Sequence, residues 1–292
     1  MKSAASLFRA LPTAALLALS LGANAWAASL PLGEGYVDIE ESTPDVRVHV
    51  WETEDSMRSA VLAVESKTGI VAVESPSFVK DFPIWRDYLT KLGKPLAALL
   101  VSSHPGSGSA WYGDAPTLAT EVGREAITSG SPRAIADGLK AGYGDAFEAQ
   151  FLTIEKTLPK DAPVDIAGIR VIAHDASDGT IFVFPALKTA YIHMLSHDYH
   201  SILPGKAAAE GYIADLEYLK RSGVKRICSS HHEPEDASVI DAKIAYVRDV
   251  IRAAESSKTA DDFKAAVKAQ HPSLKGDAYL DMTAAGFFPA KH

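Results

Sequence analysis

Residues 98–113 read ALLVSSHPGSGSAWYG: an apolar run, two serines, a histidine and then a glycine-serine loop. Residues 225–234, KRICSSHHEP, repeat the first part of that pattern, so two separate short runs each end in Ser-Ser-His. A strand that stops at a histidine presents an imidazole where the chain leaves the sheet, and in α/β proteins ligands gather at the carboxyl ends of strands. Four of the ten histidines stand this way: His104 after AALLVSS, His174 after IRVIA, His193 after TAYI and His231 after RICSS. A single strand-end histidine is an ordinary polar terminus. Four in one chain, each able to offer a neutral imidazole to a metal, are much harder to read as separate polar ends.

The flanking sequence reads as α/β. Period-two alternation in YVDIE, VRVHVWE and SAVLAVES, followed by GIVAVESP, predicts a meander of strands with a turn at Lys67-Thr68-Gly69. A helix is expected over 79–92, closed by Gly93, before the strand PLAALLVSS; a second strand and helix follow in APTLATEVGREAI. Residues 131–151 read as helical, weakened by Gly138, Gly142 and Gly144. Three strands come close together in VDIAGIRVIAH, GTIFVFPA and KTAYIHML. Helices are then expected over 206–221, 236–254 and 259–270, with the strand VKRICSS between the first two and a capping-box-like Thr259/Asp262 pair opening the last. No repeat or linker divides residues 28–292, which read as a single domain.

The first 27 residues carry a different signal. Lys2 and Arg9 precede the apolar run LPTAALLALSL, and the small-residue site Ala25-Trp26-Ala27 follows it, the three parts of a Sec-type signal peptide. The run falls short of the roughly 20 apolar residues of a membrane-spanning helix. Cleavage after Ala27 leaves 265 of the 292 residues and, by removing two basic and no acidic side chains, takes the formal charge from −8 to −10. The expectation is a periplasmic or secreted protein with no stable membrane insertion after cleavage. Nucleic acid, whose binding needs clustered Lys and Arg, is not an expected partner; a small molecule is. Cys228 is the only cysteine, so no internal disulfide can form, and its place in KRICSS suits a small buried hydrophobe.

In the order of these segments, over roughly residues 46–234, the sequence resembles the metallo-β-lactamase fold superfamily. The resemblance implies a four-layer αββα sandwich, two mixed β-sheets flanked by helices, with metal ligands on loops at one edge. Where that superfamily reads His-x-His-x-Asp-His, residues 104–109 read His-Pro-Gly-Ser-Gly-Ser, so only His104 matches and Gly106, Gly108 and Ser109 replace the other ligands. AHDASDGT aligns His174 with the next family histidine, AYIHML puts His193 where the family has its bridging aspartate, and SSHHEP supplies His231 at the final position. The resemblance therefore implies metal ligands His104, His174, His193 and His231, with His197 and His232 as weaker alternatives. An inner shell of imidazoles alone contributes no negative charge, and each ring nitrogen offers one lone pair to one metal. Two close divalent ions would repel, so one zinc ion at most is expected, or none.

Other polar residues bear on the chemistry. MLSHDYHSIL places Asp198 where it could orient a ligand histidine, or else in a solvated loop; Glu233 is a candidate general base, or else an exposed loop carboxylate. A Ser-His-Asp set from Ser107, His174 and Asp175 or Asp178 lacks the Gly-x-Ser-x-Gly elbow. The loop HPGSGSAWYGD lacks the Gly-Lys-Ser/Thr ending of a phosphate loop. His49, inside a strand with no other chemistry nearby in sequence, reads as structural. Together these imply an exported hydrolase of an ester, lactone or amide that uses a single metal to acidify water; the alternative is a non-catalytic periplasmic binding or accessory protein that keeps the crevice and has lost the metal.

Overall fold

The computed structural model describes residues 28–104, 111–129 and 131–289; the signal-peptide segment and residues 105–110, with Gly106, Ser107, Gly108 and Ser109, lie outside the described residues. The first sheet is a meander of β1 (Ala28–Leu32), β2 (Gly35–Thr43), β3 (Val46–Glu52), β4 (Ala60–Glu65) and β5 (Ile70–Val73). After helix α1 (Asp81–Lys91) it continues in parallel through β6 (Leu96–Leu100), β7 (Thr117–Ala119) and β8 (Lys156–Thr157), with α2 (Glu121–Ser129) and α3 (Ser131–Tyr143) between the last two. The second sheet runs through β9 (Pro163–Ile166), β10 (Ile169–Ala176), β11 (Gly179–Phe184) and β12 (Thr189–Ile192). Helix α4 (Lys206–Arg221) then carries the chain to β13 (Arg226–Ser229), which pairs in parallel with β12, and β14 (Glu235–Asp236) closes the edge. Helices α5 (Ile240–Ser256), α6 (Ala260–Gln270) and α7 (Asp277–Phe287) complete the chain.

Strand alternation sorts the side chains into three apolar layers. Val48, Val50, Leu62 and Val71 face Val171, Phe182, Phe184 and Tyr191 across the gap between the sheets. The opposite face of the first sheet, with Trp51 and Ala63, packs on Phe82 and Trp85 of α1. The opposite face of the second, with Ile181, Val183 and Ile227, packs on Leu216 of α4 and Val247 of α5. This is the expected αββα sandwich. Cys228 lies in the central layer, buried, and burial pushes its thiol up to about 12, so it behaves as a small hydrophobe. His49 is likewise structural: its ring is buried, donating to Glu65 at 3.1 Å and accepting from the Tyr88 hydroxyl at 2.7 Å.

Several boundaries differ from expectation. The segment VDIAGIRVIAH is a hairpin, because Ala167 and Gly168 both take positive φ and turn the chain between β9 and β10. The helix expected over 131–151 stops at Tyr143, where Gly144 adopts φ 60°. The helix expected from 236 opens at Ile240, since Glu235 and Asp236 pair with β13 and Asp236 caps a short 3₁₀ turn. Thr259 does cap α6, accepting from the Asp262 amide. Helix α7 has no counterpart among the elements expected from sequence. Among the described residues, no helix is long and apolar enough to cross a membrane.

Gly179 fixes how closely the two sheets meet at the end where the histidines emerge. A Cβ there would sit 2.0 Å from the Ser102 carbonyl oxygen. Gly179→Ala should therefore push the end of β6 away from β11, and overpacking of this kind costs about 1–3 kcal/mol. Thermal unfolding should show the midpoint falling by roughly 2–4 °C per kcal/mol; an unchanged midpoint would mean that the contact relaxes freely.

Candidate metal centre

Three of the strand-end histidines meet. His104 follows β6, His193 lies one residue beyond β12 and His231 lies two beyond β13; the parallel register of β12 with β13, Ile192 opposite Ser229, brings the last two out side by side. His104 Nε2 lies 3.1 Å from His193 Nε2 and 3.2 Å from His231 Nε2, and the three imidazoles offer ligand atoms all within 4.8 Å of one another. A tetrahedral shell with zinc–nitrogen bonds of about 2.0–2.1 Å has edges of roughly 3.3 Å.

The outer nitrogens are committed. His193 Nδ1 donates to Asp178 Oδ2 at 2.6 Å, and His231 Nδ1 donates to the Met57 carbonyl at 2.9 Å, which turns both Nε2 atoms inward. Burial and the charges of the neighbouring rings hold His104 well below the usual imidazole range, and burial brings His231 down to about 3. Burial also opposes a charge on His193, but the charge and hydrogen bond of Asp178 outweigh it and raise its pKa. His104 Nε2 has one lone pair or one N–H and two imidazole nitrogens at contact distance. A single in-line hydrogen bond serves only one of them, whereas a cation at the centre takes all three. The donor set thus fits a metal ion, held by neutral nitrogens and with Asp178 as the outer partner that orients a ligand histidine.

Glu74, one residue past β5, anchors this arrangement from beneath. It is fully buried with φ 63°, and its carboxylate accepts the amides of Ser102 at 2.8 Å, Ser103 at 3.0 Å and His104 at 3.1 Å, together with the Ser230 hydroxyl at 3.3 Å. Burial pushes it up to about 7 against the pull of those donors. One carboxylate therefore fixes both Ser-Ser-His segments. Glu74 is a functional residue that sequence reasoning missed; the signal was an acid at the end of the fully apolar run IVAV. Asp178 entered the sequence reasoning only as a member of a serine triad.

His174 does not join the other three, which corrects the four-histidine expectation. Strand β10 runs two residues past it, and on that strand His174 shares a face with Ile172 toward the outer helices. Its ring stacks on Tyr218 of α4 with centroids 3.5 Å apart and donates to Asp161 at 2.6 Å. The weaker candidates also stand apart from the cluster. His197 is exposed and bonded to Glu235. His232, turned away by a φ of 68°, packs its ring on Tyr199, and burial lowers it to about 4. Asp198 is bonded to Ser196 and Lys275, and Glu233 is exposed and paired with Arg58, so neither reaches the site as a base.

The three rings form the floor of a cavity of about 370 Å³. Its walls come from α3 (Leu139, Tyr143), from Phe147, from the segment after β12 (Met194, Leu203) and from α7 (Met282).

No protein-family profile and no curated protein matches the sequence. Solved structures do. A metallo-beta-lactamase from Pontibacter korlensis superposes with TM-score 0.52 at 15% identity, covering 73% of this chain and 99% of that one. A metallo-beta-lactamase from Erythrobacter litoralis gives TM-score 0.54 at 16% identity, covering 76% and 99%. A metallo-beta-lactamase family protein from Thermus thermophilus gives TM-score 0.58 at 11% identity, covering 84% and 92%. The chain has the metallo-β-lactamase fold.

Glu74→Gln tests the anchor. An amide NH₂ facing backbone donors leaves at least one buried group unpaired, so unfolding in denaturant should show a loss of about 1–3 kcal/mol. A stability equal to that of the parent would show that Glu74 does not hold the two segments.

Proposed function

We propose that this is an exported hydrolase whose centre, His104, His193 and His231, holds one zinc-like ion and acts on a small ester, lactone or amide. The observation that carries the reading is the convergence of three inward Nε2 atoms at the floor of a deep cavity. When bound, such an ion polarises a carbonyl and brings the pKa of water toward neutrality. The chain supplies the rest. Asp178 fixes the tautomer of His193, the Met57 carbonyl fixes that of His231, and Glu74 holds the backbone of His104. The apolar walls bound the space in which a reacting group would meet the histidines. With no carboxylate among the three ligands, a second divalent ion has nothing to offset its repulsion from the first.

Elemental analysis of the purified chain after equilibration with zinc should find no more than one ion per chain. Asp178→Asn should weaken binding by about 10–100-fold, as loss of an outer carboxylate does, and His104→Ala, His193→Ala or His231→Ala by more, while His174→Ala leaves affinity unchanged. Two tightly held ions, or an effect of His174→Ala equal to the others, would refute the assignment.

Export is supported by the signal pattern of residues 1–27. Mass spectrometry of the exported protein should give a mature N-terminus at Ala28; retention of residues 1–27 would overturn the assignment to the periplasm.

A further inference from the structure

Asp178 reaches His193 from a two-residue turn. Strands β10 and β11 pair as far as Ala176 and Gly179, which leaves only Ser177 and Asp178 between them. Two-residue hairpin loops favour turns in which one or both central residues take positive φ, because those match the twist of the strands. Neither Ser177 nor Asp178 does so, and contacts from outside fix the turn instead. On one side the Ser103 hydroxyl donates to the Asp178 carbonyl at 3.0 Å. On the other stands α4. Its Asp215, 4% exposed, accepts the Ser177 amide at 3.0 Å and the Ser177 hydroxyl at 2.6 Å on one oxygen, Oδ2. One helical turn earlier, Gly211 leaves the space that Ser177 fills: a Cβ there would lie 2.8 Å from the Ser177 Cβ. Burial pushes the Asp215 carboxyl up to about 6 against the pull of both Ser177 donors. A carboxylate is costly to bury, and an apolar side chain would pack α4 on the sheet without that cost.

We propose that Asp215 is a positioning residue for the metal centre: it clamps Ser177 to α4 and so sets the Asp178 carboxylate against Nδ1 of His193. The proposal rests on the metal-binding part of the reading above and adds to it a residue that does not line the cavity. The line of contacts is short. Asp215 fixes Ser177, the next residue is Asp178, and Asp178 holds the His193 ring at 2.6 Å with its Nε2 turned inward. Helix α4 is also the crossover that joins β12, with His193 just past its end, to β13, with His231 just past its own. The clamp therefore ties the helix that lies between two ligands in the chain to the carboxylate that orients one of them.

Asp215→Ala removes the oxygen that both Ser177 donors use, whereas Asp215→Asn keeps one there. Zinc affinity, measured by competition with a chelator, should fall in Asp215→Ala by no more than the about 10–100-fold expected of Asp178→Asn, and should return close to the parent value in Asp215→Asn. Because both substitutions act through one contact, Asp215→Ala should cost nothing further in the Asp178→Asn background. Equal losses in the two backgrounds would overturn the proposal, since damage to helix packing alone adds independently. A second readout needs no metal. In the metal-free protein the His193 Nδ1 proton, held by Asp178, should give a downfield, slowly exchanging resonance by nuclear magnetic resonance. It should move upfield in Asp178→Asn and Asp215→Ala alike and stay in place in Asp215→Asn; no movement in Asp215→Ala would overturn the proposal. Should Asp215→Ala not fold by circular dichroism, Ser177→Ala, which removes the hydroxyl and keeps the amide, should give a smaller change in the same direction. A parent chain that binds no zinc ends the metal reading, and the His193 resonance then still decides whether Asp215 positions Asp178.

Discussion

The Glu74 carboxylate is the interaction on which the site depends. It accepts hydrogen bonds from three successive residues at the end of one sheet and from a serine at the end of the other. Backbone amides at a strand end must find acceptors, and here a single side chain supplies them in a region where water does not reach. The neighbouring contacts are of the same kind: the Ser102 hydroxyl donates to the Thr180 carbonyl at 2.7 Å, the Ala60 amide to the Ser230 carbonyl at 2.8 Å and the Tyr191 hydroxyl to the Ala60 carbonyl at 3.2 Å. The two sheets are thus stitched by polar bonds at the end that carries the histidines, while apolar packing joins them elsewhere.

That stitching explains why the three imidazoles can lie so close. Rings only 3.1–3.2 Å apart repel if more than one is charged, and His104 and His231 are held neutral by burial and by the charge of His193. His193 differs because Asp178 lies against its outer nitrogen. The negative charge near the centre therefore sits one bond further out than in a site with a ligating carboxylate. An ion held there keeps more of its own positive charge for the groups that approach from the cavity.

The fold was legible because its signals are local. Period-two alternation marked β2 to β5, and the helix 206–221 coincides with α4. Two Ser-Ser-His endings marked strands that do converge. What remained hidden depends on which face of a strand a residue occupies. His174 ends an apolar run as convincingly as His193 does, yet two further paired residues extend β10, and alternation turns its ring outward to Tyr218. Glu74 and Asp178 act through partners far along the chain, and no spacing rule reveals such pairs. Helix α7 was missed for a similar reason. Asp277 to Phe287 carries little amphipathic pattern, and it is positioned by close packing of Gly286 on Pro204, where a Cβ would come within 2.5 Å of backbone.

The parallel pairing of β12 with β13 has a kinetic meaning. A parallel pair needs a crossover, here α4, and His193 and His104 are 89 residues apart while His104 and His231 are 127 apart. Contacts across such separations close late, because loop entropy must be overcome before they give anything back. Until β13 docks, the chain holds at most parts of the cluster, and partial sets of imidazoles grip an ion weakly. Ion capture at the proposed centre would therefore be coupled to completion of the second sheet, and an ion that binds only the finished chain draws the population toward it by mass action. In a chain with one cysteine and no possible internal disulfide, such a late-closing clasp would take the part that a covalent staple plays elsewhere.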